Sequence, residues 1–377
     1  MEMKPLCVEK TEYLVRDEKI IAYTGVTAPC RPIGAKLGGK TLKMLSNLRE
    51  PLDLRMHIFE ADKAELAAAG GFTLSVQPIR GIGAGKVEFG DPVGLFVPYD
   101  ASAIVPLDTA MTRADRHLIF RETEADGGAD GTAWRVDRWE TPAGEAVRVF
   151  TCRADHEKTR MIAGTPNGET EFVPRVLATV MEEAEAAERT GEKVLFAANA
   201  DFFDIFGDGH PSGLCVRDGH VVANPDAVNP FFGVRKDGTP VIGYPRDFDL
   251  GGIAEAVSGG QIIVEDGRPA DLAVLEPFGE VAHPRTAFGI TAEGDLIVMI
   301  VDGRRPAWSN GAALCELAEL MIREGAVTAM NADGGGSSTF IVRRENGLEM
   351  INHPADLFRP MEDLVRPLFD SFIIVAK

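Results

Sequence analysis

The chain has 377 residues, 45% hydrophobic and 26% charged, which is enough apolar material for buried cores and too mixed a pattern for disorder. At roughly 150 residues per domain, this length anticipates two domains. The net charge of −19, from 39 Lys plus Arg against 58 Asp plus Glu, repels a phosphate backbone and disfavours nucleic-acid binding, so an anionic substrate must be met by a few locally placed arginines.

In chain order, Ala61 to Ala69 reads as a short helix closed by Gly70 and Gly71, and Phe72 to Ile79 alternates as a strand does. The segment Asp126-Gly-Gly-Ala-Asp-Gly131 is the most linker-like in the sequence, so a domain boundary is expected there: an N-terminal domain over 1–130 and a second over 131–377. Ala146 to Cys152 alternates again. Pro174 is expected to open a helix, since Val176, Leu177, Val180, Met181 and Ala184 recur at helical spacing before Gly191. Lys193 to Ala198 reads as an apolar strand that delivers Asn199-Ala-Asp201-Phe-Phe203. Thr286 to Ile290 and Leu296 to Val301 read as a hairpin turned at Thr291–Asp295. Leu314, Leu317, Ala318 and Met321 form a helical stripe ending near Gly325, and Ala326 to Met330 is a strand that delivers Asn331-Ala-Asp333-Gly-Gly-Gly-Ser337. This interleaving predicts an α+β fold, with a mixed sheet and flanking helices in the second domain and a smaller α/β domain before it.

Cys7, Cys30, Cys152, Cys215 and Cys315 are scattered without a CxxC pair, which argues for a reducing compartment and against a zinc knuckle or disulfide framework. The N-terminus has no apolar h-region, the apolar run Leu296–Val301 is too short to span a bilayer, and no Asn-x-Ser/Thr sequon occurs. The expectation is a soluble cytoplasmic protein with no membrane partner, or a secreted one if an export signal has been trimmed. The seven histidines, His57, His117, His156, His210, His220, His283 and His353, show no ligand spacing, so neither a metal nor a cofactor is expected. Ser337 lacks the Gly-x-Ser-x-Gly turn of a serine hydrolase.

Gly34-Ala-Lys-Leu-Gly-Gly39-Lys40-Thr41 matches the phosphate-binding loop of nucleotide hydrolases, and Leu296 to Asp302 resembles their magnesium-binding strand. The context opposes this reading. Pro29 and Pro32 stand where a buried strand is required, only a short helix is expected before Pro51, and no repeated βα units link the two elements. A glycine-containing turn followed by a solvated lysine is the better account.

Asn-Ala-Asp occurs twice, each time directly after an apolar strand. Residues i and i+2 of an extended chain point the same way, so each strand end presents an amide beside a carboxylate. Gly334, Gly335 and Gly336 remove side-chain bulk and permit positive φ, letting N–H groups converge on an anion, and Ser337 and Ser338 add hydroxyls. A single Asp-Gly at a strand end is ordinarily a turn; the repetition favours a site.

The run Asn331-Ala-Asp-Gly-Gly-Gly-Ser337 resembles the Asn-x-Asp-Gly-Gly-Gly-Ser signature of the phosphodiester glycosidases. His283-Pro-Arg285-Thr-Ala-Phe-Gly289, Asp302-Gly-Arg304 with Gly311 and Glu316, Asn199-Ala-Asp201-Phe-Phe203 with Pro211-Ser-Gly213, and Asn352-x-Pro354 with Arg366 resemble other landmarks of that family, in its order. The match spans roughly 131–377 and leaves 1–130 without a role. Asp201 departs from it, standing where the family usually has glycine. The resemblance implies a hydrolase that removes a sugar such as N-acetylglucosamine from a sugar phosphodiester or phosphoglycan and leaves a phosphomonoester.

A carboxylate near the anomeric carbon must serve as nucleophile or as base for water, and Asp333 is the first candidate because the glycines are expected to leave it exposed. Glu316 or Asp201 is the second carboxylate. Glu316 lies off the apolar stripe and reads equally well as a solvated helix residue, and Asp302 reads equally well as a turn. The leaving phosphate needs its charge neutralised more than it needs a strong acid, a task suited to Arg285 and to Arg366, whereas Arg359 reads as a surface residue. Asn199, Asp302, Asn331, Gly334, Gly335, Gly336 and Ser337 are the expected substrate contacts. Phe202, Phe203 and Trp308 are candidates to pack on a sugar face, although phenylalanines beside a strand are more often core. A catalytically silent glycan-binding protein is the alternative from another class.

Overall fold

The computed structural model describes residues 6–16, 19–27, 30–44, 56–83, 86–105, 118–205, 207–270, 282–305, 307–355 and 365–377. Pro29, the stretch before Pro51 and Arg359 lie outside them. The chain divides into two compact units, Met1–Asp115 and Arg116–Lys377. Among the described residues no helix is long and apolar enough to cross a membrane.

Among its described residues the first unit is almost entirely β, not the α/β domain expected. Its one α-helix among the described residues, Lys63–Ala69, is capped by Asp62, whose carboxylate accepts the N–H groups of Ala64 and Glu65, and ends on left-handed Gly70. The apparent phosphate-binding loop is a β-hairpin. Strand Cys30–Leu37 turns at Gly38 and Gly39, both with positive φ, into strand Lys40–Thr41, and Lys40 Nζ pairs with Glu65 Oε2 at 2.9 Å on the surface. A lysine that leads a strand cannot cradle a phosphate at a helix N-terminus.

The second unit is a sandwich. An eight-stranded sheet runs Ile119–Ala129, Thr132–Glu140, Ala146–Ala154, Leu296–Val301, Arg285–Thr291, Ala326–Ala332, Gln261–Glu265, Arg268–Pro269. A five-stranded sheet runs Thr159–Gly164, Ser371–Ala376, Val194–Asn199, Phe340–Arg344, Gly347–Met350, and a second five-stranded sheet is centred on Ile253–Ser258. Every registered pair in these three sheets is antiparallel, which corrects the expected mixed sheet. Helix Val180–Arg189 connects Thr159–Gly164 to Val194–Asn199, and helix Leu314–Arg323 connects Leu296–Val301 to Ala326–Ala332; each joins two parallel strands, but an antiparallel strand, Ser371–Ala376 or Arg285–Thr291, lies between them, so no neighbours are parallel.

Facing sides of the sheets share a core that includes Phe150, Phe196, Phe232, Phe288, Met330, Phe340 and Phe372, with Phe288 stacked on Phe372 at 4.4 Å between ring centroids. The outer side of the eight-stranded sheet is covered by helix Leu314–Arg323 through Leu314, Leu317, Ala318 and Met321. Helix Val180–Arg189 covers the outer side of the five-stranded sheet through Val180, Ala184 and Ala187. That helix begins six residues later than Pro174. Arg175 has φ +64 and Ala178 bridges to Leu368, so the chain is irregular until Thr179 forms a capping box with Glu182.

Asp126–Gly131 is not a linker. It closes the hairpin between Ile119–Ala129 and Thr132–Glu140, and Gly127 makes room for Trp134: a Cβ there would stand 2.6 Å from the indole, and one on Gly128 would stand 2.2 Å from the Thr132 carbonyl. Glycine here serves packing, which a composition-based reading takes for flexibility.

Candidate active site

The two Asn-Ala-Asp strands end side by side, one from each large sheet. The N–H of Asp333 donates to the carbonyl of Ala200 at 2.9 Å, and Asn199 Nδ2 donates to the carbonyl of Asp333 at 2.6 Å. Asn199 Oδ1 in turn accepts the Thr286 hydroxyl at 2.9 Å and the Thr339 N–H at 3.1 Å. Antiparallel register sets Asn199 opposite Ser371, so the residue before that strand, Asp370, arrives at the same edge. Asp370 Oδ1 accepts the N–H of Asp201 at 2.8 Å, and Asp201 Oδ2 accepts the N–H of Gly213 at 2.6 Å. Three carboxyls thus converge where the sheets meet.

All three are buried, Asp201 3%, Asp333 2% and Asp370 1% exposed, which corrects the expectation that the glycines leave Asp333 open. Asp201 Oδ1, Asp333 Oδ2, Asp370 Oδ2 and the Asn331 side-chain oxygen each lack a hydrogen-bond partner among the described residues. Buried acceptors of this kind are costly unless something pairs with them. Burial pushes the Asp333 carboxyl up to about 6 despite the opposing pull of Arg366, of hydrogen bonds from Ser337 and Gly334, and of Arg304. Asp370 is pushed up to about 7 by burial, with Asp333 adding to the rise. Asp201 is raised well above the usual carboxylate range by burial and by the neighbouring Asp370. The arrangement separates one carboxyl that two arginines favour as an anion from a pair with no such help, the division of labour of acid–base catalysis.

Residues 192–366 match the family model of the phosphodiester glycosidases. The matched segment lies within the second unit and carries the likeness to that family. The chain is 29% identical over 289 residues to human N-acetylglucosamine-1-phosphodiester α-N-acetylglucosaminidase, covering 70% of this chain and 52% of that protein. It is 30% identical over 232 residues to the bovine enzyme of the same name, covering 57% and 42%. The chain therefore spans about half the length of the curated relatives it matches. The zebrafish catalytic domain of that name superposes with a TM-score of 0.53 at 23% identity over 67% of this chain and 88% of the other, which shows a shared fold.

Within the matched segment, the glycine run has a task other than the expected anion cradle. The N–H of Gly335 donates to the carbonyl of Pro284, and those of Ser337 and Ser338 fold back on Gly334 and Gly335. A Cβ on Gly334 would stand 2.4 Å from the Pro284 carbonyl, and one on Gly335, at φ +61, would stand 2.9 Å from an Arg304 nitrogen. Only glycine admits both approaches. Ser337 Oγ accepts from Arg366 Nη1 at 3.2 Å, linking the serine to the arginine that faces Asp333.

Arg285 and Glu316 meet on one peptide group. Arg285 Nε donates to the Ala312 carbonyl at 3.0 Å, and Glu316 Oε2 accepts the Ala313 N–H at 2.7 Å, closing the first turn of its helix. Both are buried, so Glu316 is not a solvated helix residue. Asp302 is a hub: it accepts from Trp308 Nε1, Asn352 Nδ2 and the His353 N–H, each at 2.9 Å. Asn352 also holds the Phe340 N–H and the Ser338 carbonyl, which fixes the end of the glycine turn. Trp308 carries the Arg148 guanidinium over its ring at 3.7 Å, and Phe202 and Phe203 are core residues.

Two residues of this neighbourhood are new relative to the sequence reading: Arg304 as a cation beside Asp333, and Asp370. Asp370 lies four residues beyond the matched family segment. Its signal was a carboxylate directly before an apolar strand, which in an antiparallel sheet lands at the same edge as the end of the neighbouring strand.

Proposed function

We propose that this chain hydrolyses a glycosyl phosphodiester at the anomeric C–O bond, releasing free sugar and a phosphomonoester. The buried Asp333 carboxyl, faced by Arg366 and Arg304 and flanked by the Asp201–Asp370 pair, carries the reading, and the names of the human and bovine relatives support N-acetylglucosamine as the sugar. Asp333 acts at the anomeric carbon as nucleophile or as base for water. Arg366 and Arg304 hold the departing phosphate through bidentate contacts. The acid demand is modest because a phosphomonoester is already a good leaving group.

The test is release of N-acetylglucosamine from a sugar-1-phospho-sugar, with the Asp333→Asn variant as control. Wild-type turnover is expected, together with a loss of about 10²–10⁴-fold in the variant at unchanged secondary structure. Substrate binding without release at high enzyme concentration would replace this reading by a phosphoglycan-binding one.

A further inference from the structure

The Asp201–Asp370 pair lies in an electrostatic setting of its own. Asp333 faces it from the eight-stranded sheet, Glu183 from helix Val180–Arg189, and Cys215, whose thiol hydrogen-bonds to Asp370, from strand Cys215–Arg217. Glu255 on strand Ile253–Ser258 acts on Cys215, and Arg217 acts on Glu183 and Glu255. The cations on the other side, Arg366 and Arg304, act on Asp333. The pair accepts the backbone N–H groups of Asp201 and Gly213, with that of Phe202 also acting on Asp201, while Asp201 Oδ1 and Asp370 Oδ2 are buried and lack a hydrogen-bond partner of good geometry among the described residues. Two carboxylate anions cannot both be sustained there, because each buried ion without a cation costs several kcal/mol.

Resting on the glycosidase reading above, we propose that Asp370 is a positioning residue that keeps one proton on the Asp201–Asp370 pair, so that Asp201 meets the substrate as an acid while Asp333 meets it as a carboxylate. As the anomeric C–O bond breaks, its electron pair goes to the bridging phosphate oxygen, which takes the proton from Asp201. The water that then adds to the anomeric carbon returns a proton to the site, so the cycle closes with no other reactant.

Two measurements test this. Asp370→Asn retains an oxygen to accept the Asp201 N–H but removes the charge, so the alkaline limb of kcat/KM is expected to move down by about one pH unit with KM little changed, and Asp370→Glu to move it back. An alkaline limb that stays in place would overturn the proposal. The second measurement needs no turnover. Infrared difference spectra near neutral pH are expected to show the same protonated-carboxyl band lost in Asp201→Asn and in Asp370→Asn, with no greater loss in the double variant. No loss in either, or additive loss in the double variant, would overturn it. Should Asp370→Asn fail to fold, Asp201→Asn alone still decides the infrared question: no loss of a protonated-carboxyl band in it is the contrary result. A wild-type chain that releases no sugar would refute the activity and leave the infrared result to judge the shared proton.

Discussion

The side-chain amide of Asn199 donates to the backbone carbonyl of Asp333 at 2.6 Å, so the first Asn-Ala-Asp segment holds the second in place. The same side chain accepts from Thr286 and Thr339, which joins three strand ends and the glycine turn through one residue with no solvent exposure. Asn199→Ala leaves those groups buried and unpaired. The expected cost is about 3 kcal/mol in chemical denaturation, accompanied by a fall in kcat, because Asp333 loses its support. An unchanged denaturation midpoint would mean that the strand ends hold together without it.

Stability should depend on pH in an unusual direction. Asp333 and Asp370 have folded-state values of about 6 and about 7 against an ordinary 3.8, so the folded protein binds their protons more tightly than the unfolded chain. Their contribution is fully present below the ordinary value and is lost as pH rises, through about 6 for the first and about 7 for the second. Exposed carboxyls with lowered values, such as Asp100, Asp155 and Asp237, are ionised in both states across this window and leave it flat. Tm is therefore expected to fall between mildly acid and mildly alkaline buffer, and Asp370→Asn to reduce the upper part of the fall, the remainder coming from Glu255, which burial also pushes up to about 7. A Tm that rises over the same interval would contradict this account of the buried carboxyls.

Arg366 offers a separate handle, because it pulls the Asp333 carboxyl down while hydrogen-bonding to Ser337. Arg366→Ala should move the acid limb of kcat/KM upward and raise KM for an anionic substrate, with the KM effect about tenfold. Arg366→Lys should restore the position of the limb better than it restores KM, since an ammonium supplies charge without the planar fork. Equal recovery of both would argue against bidentate phosphate contact.

The legible part of this site was its two strand ends. An apolar run followed by Asn-Ala-Asp fixes where a strand stops and which side chains share a face, and that local pattern located Asn199, Asp201, Asn331 and Asp333 together. Asp370 was not legible because its place depends on strand register across 169 residues of sequence, which no local periodicity encodes. The glycines misled twice for one physical reason. At Gly127 and at Gly334 the missing side chain makes room for an indole and for a carbonyl, whereas local reasoning assigns such glycines to a linker or to an anion loop. Burial of Asp333 was hidden in the same way, since it follows from two sheets meeting over the turn and not from the turn itself.

Which bond breaks is the outcome that separates a glycosidase from a phosphodiesterase with the same substrate. A carboxylate attacking phosphorus would approach a centre already ringed by anionic oxygens, and the cations facing Asp333, Arg366 and Arg304, neutralise its own charge as well as that of a phosphate. At the anomeric carbon the same carboxylate meets developing positive charge, and the burial that destabilises the free anion strengthens that attraction. Hydrolysis in oxygen-18 water is accordingly expected to place the label on the released sugar and leave the phosphomonoester unlabelled by mass spectrometry. Label in the phosphomonoester would mean attack at phosphorus, and would reassign Asp333 from nucleophile or base at carbon to a residue that binds the sugar.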